Sequence, residues 1–140
     1  MNSVIDQLEQ NKAVTQELFS NWSAGDIPAT CRLVSPECNG GGAEGLRREL
    51  EAFLTVFPDL QITLEDMLAE DEKVATRVTM RGTHQGPLFG VPATGKSVVL
   101  KANHIFKLKH GLIVQRHGQM DRLELMQQLG VMPIPSGENP

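Results

Sequence analysis

The residues best suited to chemistry gather late in the chain: His104, Gln115, His117, Gln119 and Asp121. His110-Gly111 reads as a tight turn between two strands. Continued from that turn, the pairing sets Lys109 against Leu112, Leu108 against Ile113 and Phe106 against Gln115. It then sets His104 against His117, Ala102 against Gln119 and Leu100 against Asp121. Side chains alternate along a strand, so the ten residues from the Leu108–Ile113 pair to the Leu100–Asp121 pair share one face. Leu100, Ala102, Phe106, Leu108 and Ile113 mark that face as buried, and Lys101, Asn103, Lys107 and Arg116 fall on the other. Buried polar groups are costly unless they are paired, hydrated or turned towards a cavity. Several on one hairpin predict a polar-lined pocket. The prediction depends on register, because a slip of one residue would turn the whole set to solvent.

Proton abstraction next to a carbonyl is the chemistry such a set could perform. Desolvation raises the pKa of a carboxylate and makes it a better base, a role open to Asp121 at the mouth of an apolar cavity. His104 or His117 could donate to the developing oxyanion, and Gln119 and Gln115 could orient a carbonyl or phenol. This chemistry needs no metal or organic cofactor. Each residue also has a plainer role. Asp121 precedes RLELMQQLG and could cap that helix. His104 and His117 lack a clear third ligand, so a hydrogen-bonded core pair is expected rather than a zinc site. His84, in GTHQG, could shape the following loop or the pocket rim. His110 belongs at an exposed turn tip.

The elements that must position these groups follow from periodicity. Ile5, Leu8, Leu18, Phe19 and Trp22 recur at helical spacing over 4–22, with Ser3 as cap and Gly25 as terminator. Asp26 and Pro28 open a short helix through about Leu33, and SPECNGGG reads as a turn. A third helix runs from Ala43 to Phe57, with Leu46, Leu50, Phe53 and Leu54 on one side and Pro58 beyond it. The pattern then alternates as strands do: LQITLEDML, VATRVTMRGTH, SVVLKANHIFKLK and LIVQRHGQMD, with a Gly/Pro loop at GPLFGVPATG. Helices first and an antiparallel sheet afterwards give an α+β layer arrangement.

At 140 residues with 40% apolar content, the chain suits one domain with one core. A net charge of -4 argues against a nucleic-acid binder. No apolar run approaches the roughly 20 residues of a bilayer-spanning helix. The acidic, amphipathic start MNSVIDQLEQNK does not read as a secretory signal, and Cys31 and Cys38 read as reduced thiols of a cytoplasmic protein. The domain is expected to span residues 1–133, with 134–140 as a flexible tail. The outer sheet face, with Ala75, Thr79, Val114 and Met120 among charged residues, is expected to support a homodimer or homotetramer.

FPDLQITLEDMLAEDEKVATRVTMRGTHQGPLFGVPATGKSV, then IFKLKHGLIV and MDRLELMQQLGVMP, resemble the SnoaL-like polyketide cyclases of the nuclear transport factor 2-like superfold. The shared features are FPDL, GTHQG, the Gly90–Pro92–Thr94–Gly95 loop, the HG turn and the stretch from Asp121 to Gly130, and they extend over roughly residues 14–133. The resemblance implies a cone-shaped half-barrel with helices packed on a curved sheet and a short C-terminal helix. It also implies a cofactor-free aldol closure of a polyketide ester, with Asp121 as acid/base and His104 polarising the substrate. His117, Gln119, Gln115, Phe106, Trp22, Phe53 and His84 would line the pocket of a hydrophobic small molecule. Three positions depart from the family: Gln115 replaces an acidic residue, His117 replaces Trp, and SPECNGGG shortens a segment that usually enters the pocket. A non-catalytic binding domain, an isomerase or a hydroxylase are alternatives on the same scaffold, as is a subunit working mainly by association.

Overall fold

In a computed structural model, residues 3–133 are described; the tail expected at 134–140 lies outside them. Helix α1 (Val4–Ser23) begins at a reciprocal capping box, in which Ser3 accepts from the Asp6 amide and Asp6 from the Ser3 amide. Its buried side is Asn11, Thr15, Leu18 and Phe19. The expected stripe is thus corrected at Ile5, which is exposed in the first turn, the buried side of the helix beginning only at Asn11. Asp26 caps the single turn of α2 (Ile27–Cys31) through the Ala29 amide. Helix α3 (Gly42–Val56) buries Leu46, Leu50 and Val56.

Four strands follow as an antiparallel meander in the order β1 (Gln61–Glu70), β2 (Lys73–Thr83), β3 (Ser97–Lys109), β4 (Leu112–Met120). The chain ends in α4 (Arg122–Gln128). The inner sheet face carries Val74, Val78, Met80, Leu100, Phe106, Leu108 and Ile113, all buried in one core with Leu50, Phe57 and Leu125. This is a mixed α+β architecture of helices on an open sheet. His110 and Gly111 form the β3–β4 turn with φ of 53° and 75°, the backbone signature of a tight primed hairpin turn.

Beyond that turn the register departs from expectation. Lys109 pairs with Leu112 and Leu108 with Ile113, but Lys107 then pairs with Gln115, leaving Val114 as a bulge. From there Phe106 faces Arg116, Ile105 faces His117, His104 faces Gly118, Asn103 faces Gln119 and Ala102 faces Met120. The extra residue shifts the alternation by one. Arg116 and Met120, expected outside, turn inward, whereas Gln115, His117 and Gln119 turn outward and are exposed.

Side-chain amides close what would otherwise be open edges. The segment expected as a plain turn runs beside β4, with Val34 bridging Ile113 in parallel and Ser35 donating to the Ile113 carbonyl at 2.9 Å. Asn39 then accepts from the Arg116 amide at 2.8 Å and donates to the Arg116 carbonyl at 2.7 Å. Gln128 of α4 grips the Val99 backbone the same way, at 2.7 and 2.8 Å. Unpaired edge groups are a liability that such covering removes.

The Asn39 segment reaches β4 only because Gly45 of α3 lets it lie close: a Cβ there would stand 1.8 Å from the Gly40 carbonyl oxygen. Helix propensity alone favours Gly45→Ala by about 1 kcal/mol. The close backbone approach reverses that sign, and the substitution is expected to lower stability by about 1–3 kcal/mol in denaturant unfolding.

Candidate functional site

Between the helices and the inner sheet face lies a cavity of about 840 Å³. Its walls are mostly apolar, with Leu18 and Trp22 of α1, Leu46, Leu50 and Phe53 of α3, Met80 of β2, and Ala102, Phe106 and Ile113 of the hairpin. Its polar lining is His104, Arg116 and Glu49, with His117, Gln119 and Arg122 exposed at the rim. Pockets for small molecules commonly have this composition and a volume of about 300–1,000 Å³.

His104 is held in an aromatic cluster. Its ring stacks on Phe106 at 5.6 Å between centroids and 7° between planes, and Phe19 leans on it at 5.4 Å. Across the sheet it lies between Thr76 and Gly118. Gly118 makes room for it, since a Cβ there would be 2.6 Å from His104 Cδ2. Burial first, and the positive charge of Arg116 second, push the imidazole down to about 4. The ring is therefore neutral at pH 7. Nδ1 is buried and has no hydrogen-bond partner among the described residues.

Two further cavity-lining groups share that property: the indole Nε1 of Trp22 and Nε of Arg116. Trp22 packs edge-on against Phe53 at 5.8 Å and stacks on Phe19 at 6.1 Å. Arg116 Nη1 donates to Glu49 at 2.7 Å, and Nη2 reaches the Gly40 carbonyl at 3.4 Å. Native proteins pair nearly all buried polar atoms with protein or water, and three of the five unpartnered buried side-chain atoms among the described residues belong to residues lining this cavity, the others being Thr76 Oγ1 and His84 Nε2.

The structure thus brings together His104, Phe106, Trp22 and Phe53 and sets the other candidates apart. His117 and Gln119 reach only the rim, and Gln115 lies on the outer face opposite Lys107. The expected facing of His104 and His117 is replaced by His104 over Gly118, because of the bulge. His84 is fully buried away from the cavity. It organises the loop after β2, where Nδ1 accepts from the Thr94 amide at 3.2 Å and pairs with the Thr94 hydroxyl at 2.9 Å. Asp121 is exposed and caps α4, accepting from the Glu124 amide at 3.0 Å. It lines a shallower concavity of about 390 Å³ with Arg77, Lys101, Asn103 and Gln119, although its neighbours Met120 and Arg122 both line the main cavity. Arg116, Glu49 and Gly118 were missed from sequence. The one available signal was Gly118, since a glycine within a strand often marks a bulge or a close approach. Among the described residues no three His, Cys, Asp or Glu side chains cluster as metal ligands, and no helix is long and apolar enough to cross a membrane.

A meander of four strands under helices, with an aromatic cavity between them, defines a small α+β pocket domain of the nuclear transport factor 2-like kind. The family model for SnoaL-like polyketide cyclases matches residues 12–129, and the chain belongs to that family. Among solved structures it is similar to AclR of Streptomyces galilaeus, a candidate hydroxylase, at 26% identity and a TM-score of 0.81, over 90% of this chain and 99% of that one. TsrD of Streptomyces laurentii matches at 28% identity and a TM-score of 0.81, over 89% and 97% of the two chains. IdmH of Streptomyces antibioticus, a candidate polyketide cyclase, matches at 26% and 0.76, over 87% and 99%. No curated protein matches the sequence.

The buried imidazole makes a pH prediction. With a folded pKa near 4 and an unfolded value near 6.5, the unfolded chain binds the proton first as pH falls. Stability is therefore unaffected by His104 above about pH 6.5 and declines between there and pH 4, by up to about 3 kcal/mol. His104→Phe is expected to flatten that part of a denaturant-midpoint profile against pH.

Proposed function

We propose that this protein is a cofactor-independent acid/base enzyme acting on a hydrophobic carbonyl compound, closing a ring by intramolecular aldol chemistry on a polyketide-type ester. The observation that carries the reading is the neutral, buried His104 facing an aromatic cavity with unpaired polar atoms. A neutral imidazole donates a hydrogen bond without carrying a charge into an apolar site, which suits polarisation of a carbonyl oxygen.

In this reading the apolar body of the substrate lies between Trp22, Phe53 and Phe106. Asp121, at the strand end between two lining residues, takes the proton from the carbon alpha to a carbonyl. The electron pair moves onto that carbonyl oxygen, where His104 donates its N–H. The enolate carbon then attacks a second carbonyl carbon, forming the ring bond. The resulting alkoxide recovers the proton, so the product is an isomer of the substrate. Family membership supports this class of reaction. The name of one solved relative, a candidate polyketide cyclase, supports ring closure, and that of another, a candidate hydroxylase, links the scaffold to a different reaction as well.

A second reading, a binding domain without turnover, is favoured by one observation: the Asp121 carboxylate is engaged as the α4 cap and lines the other concavity. Asp121→Asn separates the two, because asparagine caps helices about as well as aspartate. The enzyme reading expects unchanged thermal stability, unchanged ligand binding and a fall in kcat of at least about 100-fold on a cyclisable ester. Turnover unchanged in Asp121→Asn would remove Asp121 from the chemistry and leave the binding reading.

We also place self-association on the outer sheet face. There Leu68, Ala75, Ile105 and His117 form one row across all four strands, with Leu68 73% and Ile105 50% exposed. Met120, expected on that face, lies inside, and Val114 is the bulge. Sedimentation should show a dimer or tetramer that Ile105→Lys converts to a monomer. A monomer in the unsubstituted protein would contradict this.

A further inference from the structure

The cavity's buried cation has no role in the reading above. Arg116 is carried inward by the bulge at Val114, and its side chain is only 17% exposed, against 57% for its partner Glu49. Its backbone is held from both sides by the Asn39 amide. Gly40 leaves space for the guanidinium, since a Cβ there would meet Nη2 at 2.7 Å. One edge of the guanidinium is used, by Glu49 on Nη1 and, at a long 3.4 Å, by the Gly40 carbonyl on Nη2. The Cys38 thiol lies against the guanidinium, yet Nε is buried without a hydrogen-bond partner of good geometry among the described residues, and Trp22 Nε1, a second unpaired donor, lines the same cavity.

A guanidinium fixed in position, with a buried N–H left without a good partner at the edge of a mostly apolar cavity, is a strong receptor for an anionic oxygen. A neutral apolar ligand would leave both donors unpaired, at the full desolvation cost of each. Glu49 balances the charge of Arg116, yet it is mostly in water and can release the guanidinium to an incoming anion. We infer that the cavity takes an aromatic or polyketide-like molecule bearing an acidic oxygen group, a carboxylate or an ionised phenol, and that Arg116 is the residue that anchors this group. Arg116 thereby selects the substrate and fixes which end enters first. The inference rests on the reading of the cavity as the substrate site and names the substrate class it accepts.

The test compares anthraquinone-2-carboxylate with anthraquinone-2-carboxamide, a neutral molecule of nearly the same shape. Binding is followed at pH 7.5 by quenching of Trp22, the single tryptophan of the chain. The acid is expected to bind about tenfold more tightly than the amide. Arg116→Met should bring the acid down to the level of the amide while leaving the amide unchanged. Glu49→Gln, which spares the arginine and frees Nη1, should raise the preference for the acid by about threefold. This second variant keeps the test decisive if Arg116→Met does not fold. Equal binding of acid and amide, or a preference that survives Arg116→Met, overturns the anchoring role while leaving the cavity as a binding site. If neither molecule quenches Trp22, the cavity reading falls and the anchoring role falls with it.

Discussion

One residue too many in β4 sets the character of the interior. Val114 has no partner in the β3–β4 ladder, and the strand beyond it is turned over relative to a regular hairpin. An unbulged strand would send Arg116 to solvent and put the rings of His104 and His117 face to face. With the bulge, a glycine lies under His104, a guanidinium lies beside Phe106, and the strand's remaining polar side chains face outward. The bulged strand is held on its free edge at Ile113 by the chain from Leu33 to Ser35 and at Arg116 by Asn39. Those anchors depend in turn on the close approach of Gly40 to Gly45. Loop, helix and strand therefore share a single constraint.

The electrostatics of the cavity follow from that arrangement. Arg116 brings a positive charge into an apolar space, a costly act unless it is balanced, and Glu49 supplies the balance from the side that meets water. The same charge, added to burial, keeps His104 neutral. A neutral hydrogen-bond donor beside a fixed cation suits a molecule whose oxygen gains negative charge during reaction. In the proposed reading, the aromatic walls from α1, α3 and β3 would hold the rest of that molecule by shape and apolar contact, with the polar atoms left for orientation.

Much of this was legible in the residues. The Ser3–Asp6 cap, the Asp26 and Asp121 caps, the His110-Gly111 turn and all four strands were readable, because each rests on short-range chemistry with a strong signature. The aromatic wall of Trp22, Phe53 and Phe106 was also readable, since large apolar residues at helical and strand spacing must be buried together. The polar half of the site was not. Nothing in LIVQRHGQM distinguishes a bulge at Val114 from regular alternation, and a shift of one residue exchanges Arg116 for His117. SPECNGGG resembled a simple turn because its role lies in a contact far along the chain, between Asn39 and Arg116. Glu49 sits on the polar flank of an amphipathic helix, where nothing separates it from an ordinary solvated carboxylate.

The register of the last hairpin is the claim on which the site rests, and cross-strand nuclear Overhauser contacts report it directly. The bulged arrangement predicts contacts from the His104 Hδ2 proton to the Hα protons of Gly118, and none from the His104 ring to the His117 side chain. Contacts from the His104 ring to the His117 side chain, with none to Gly118, would restore the regular register. Arg116 would then belong on the outer face, and the cavity would lose its cation.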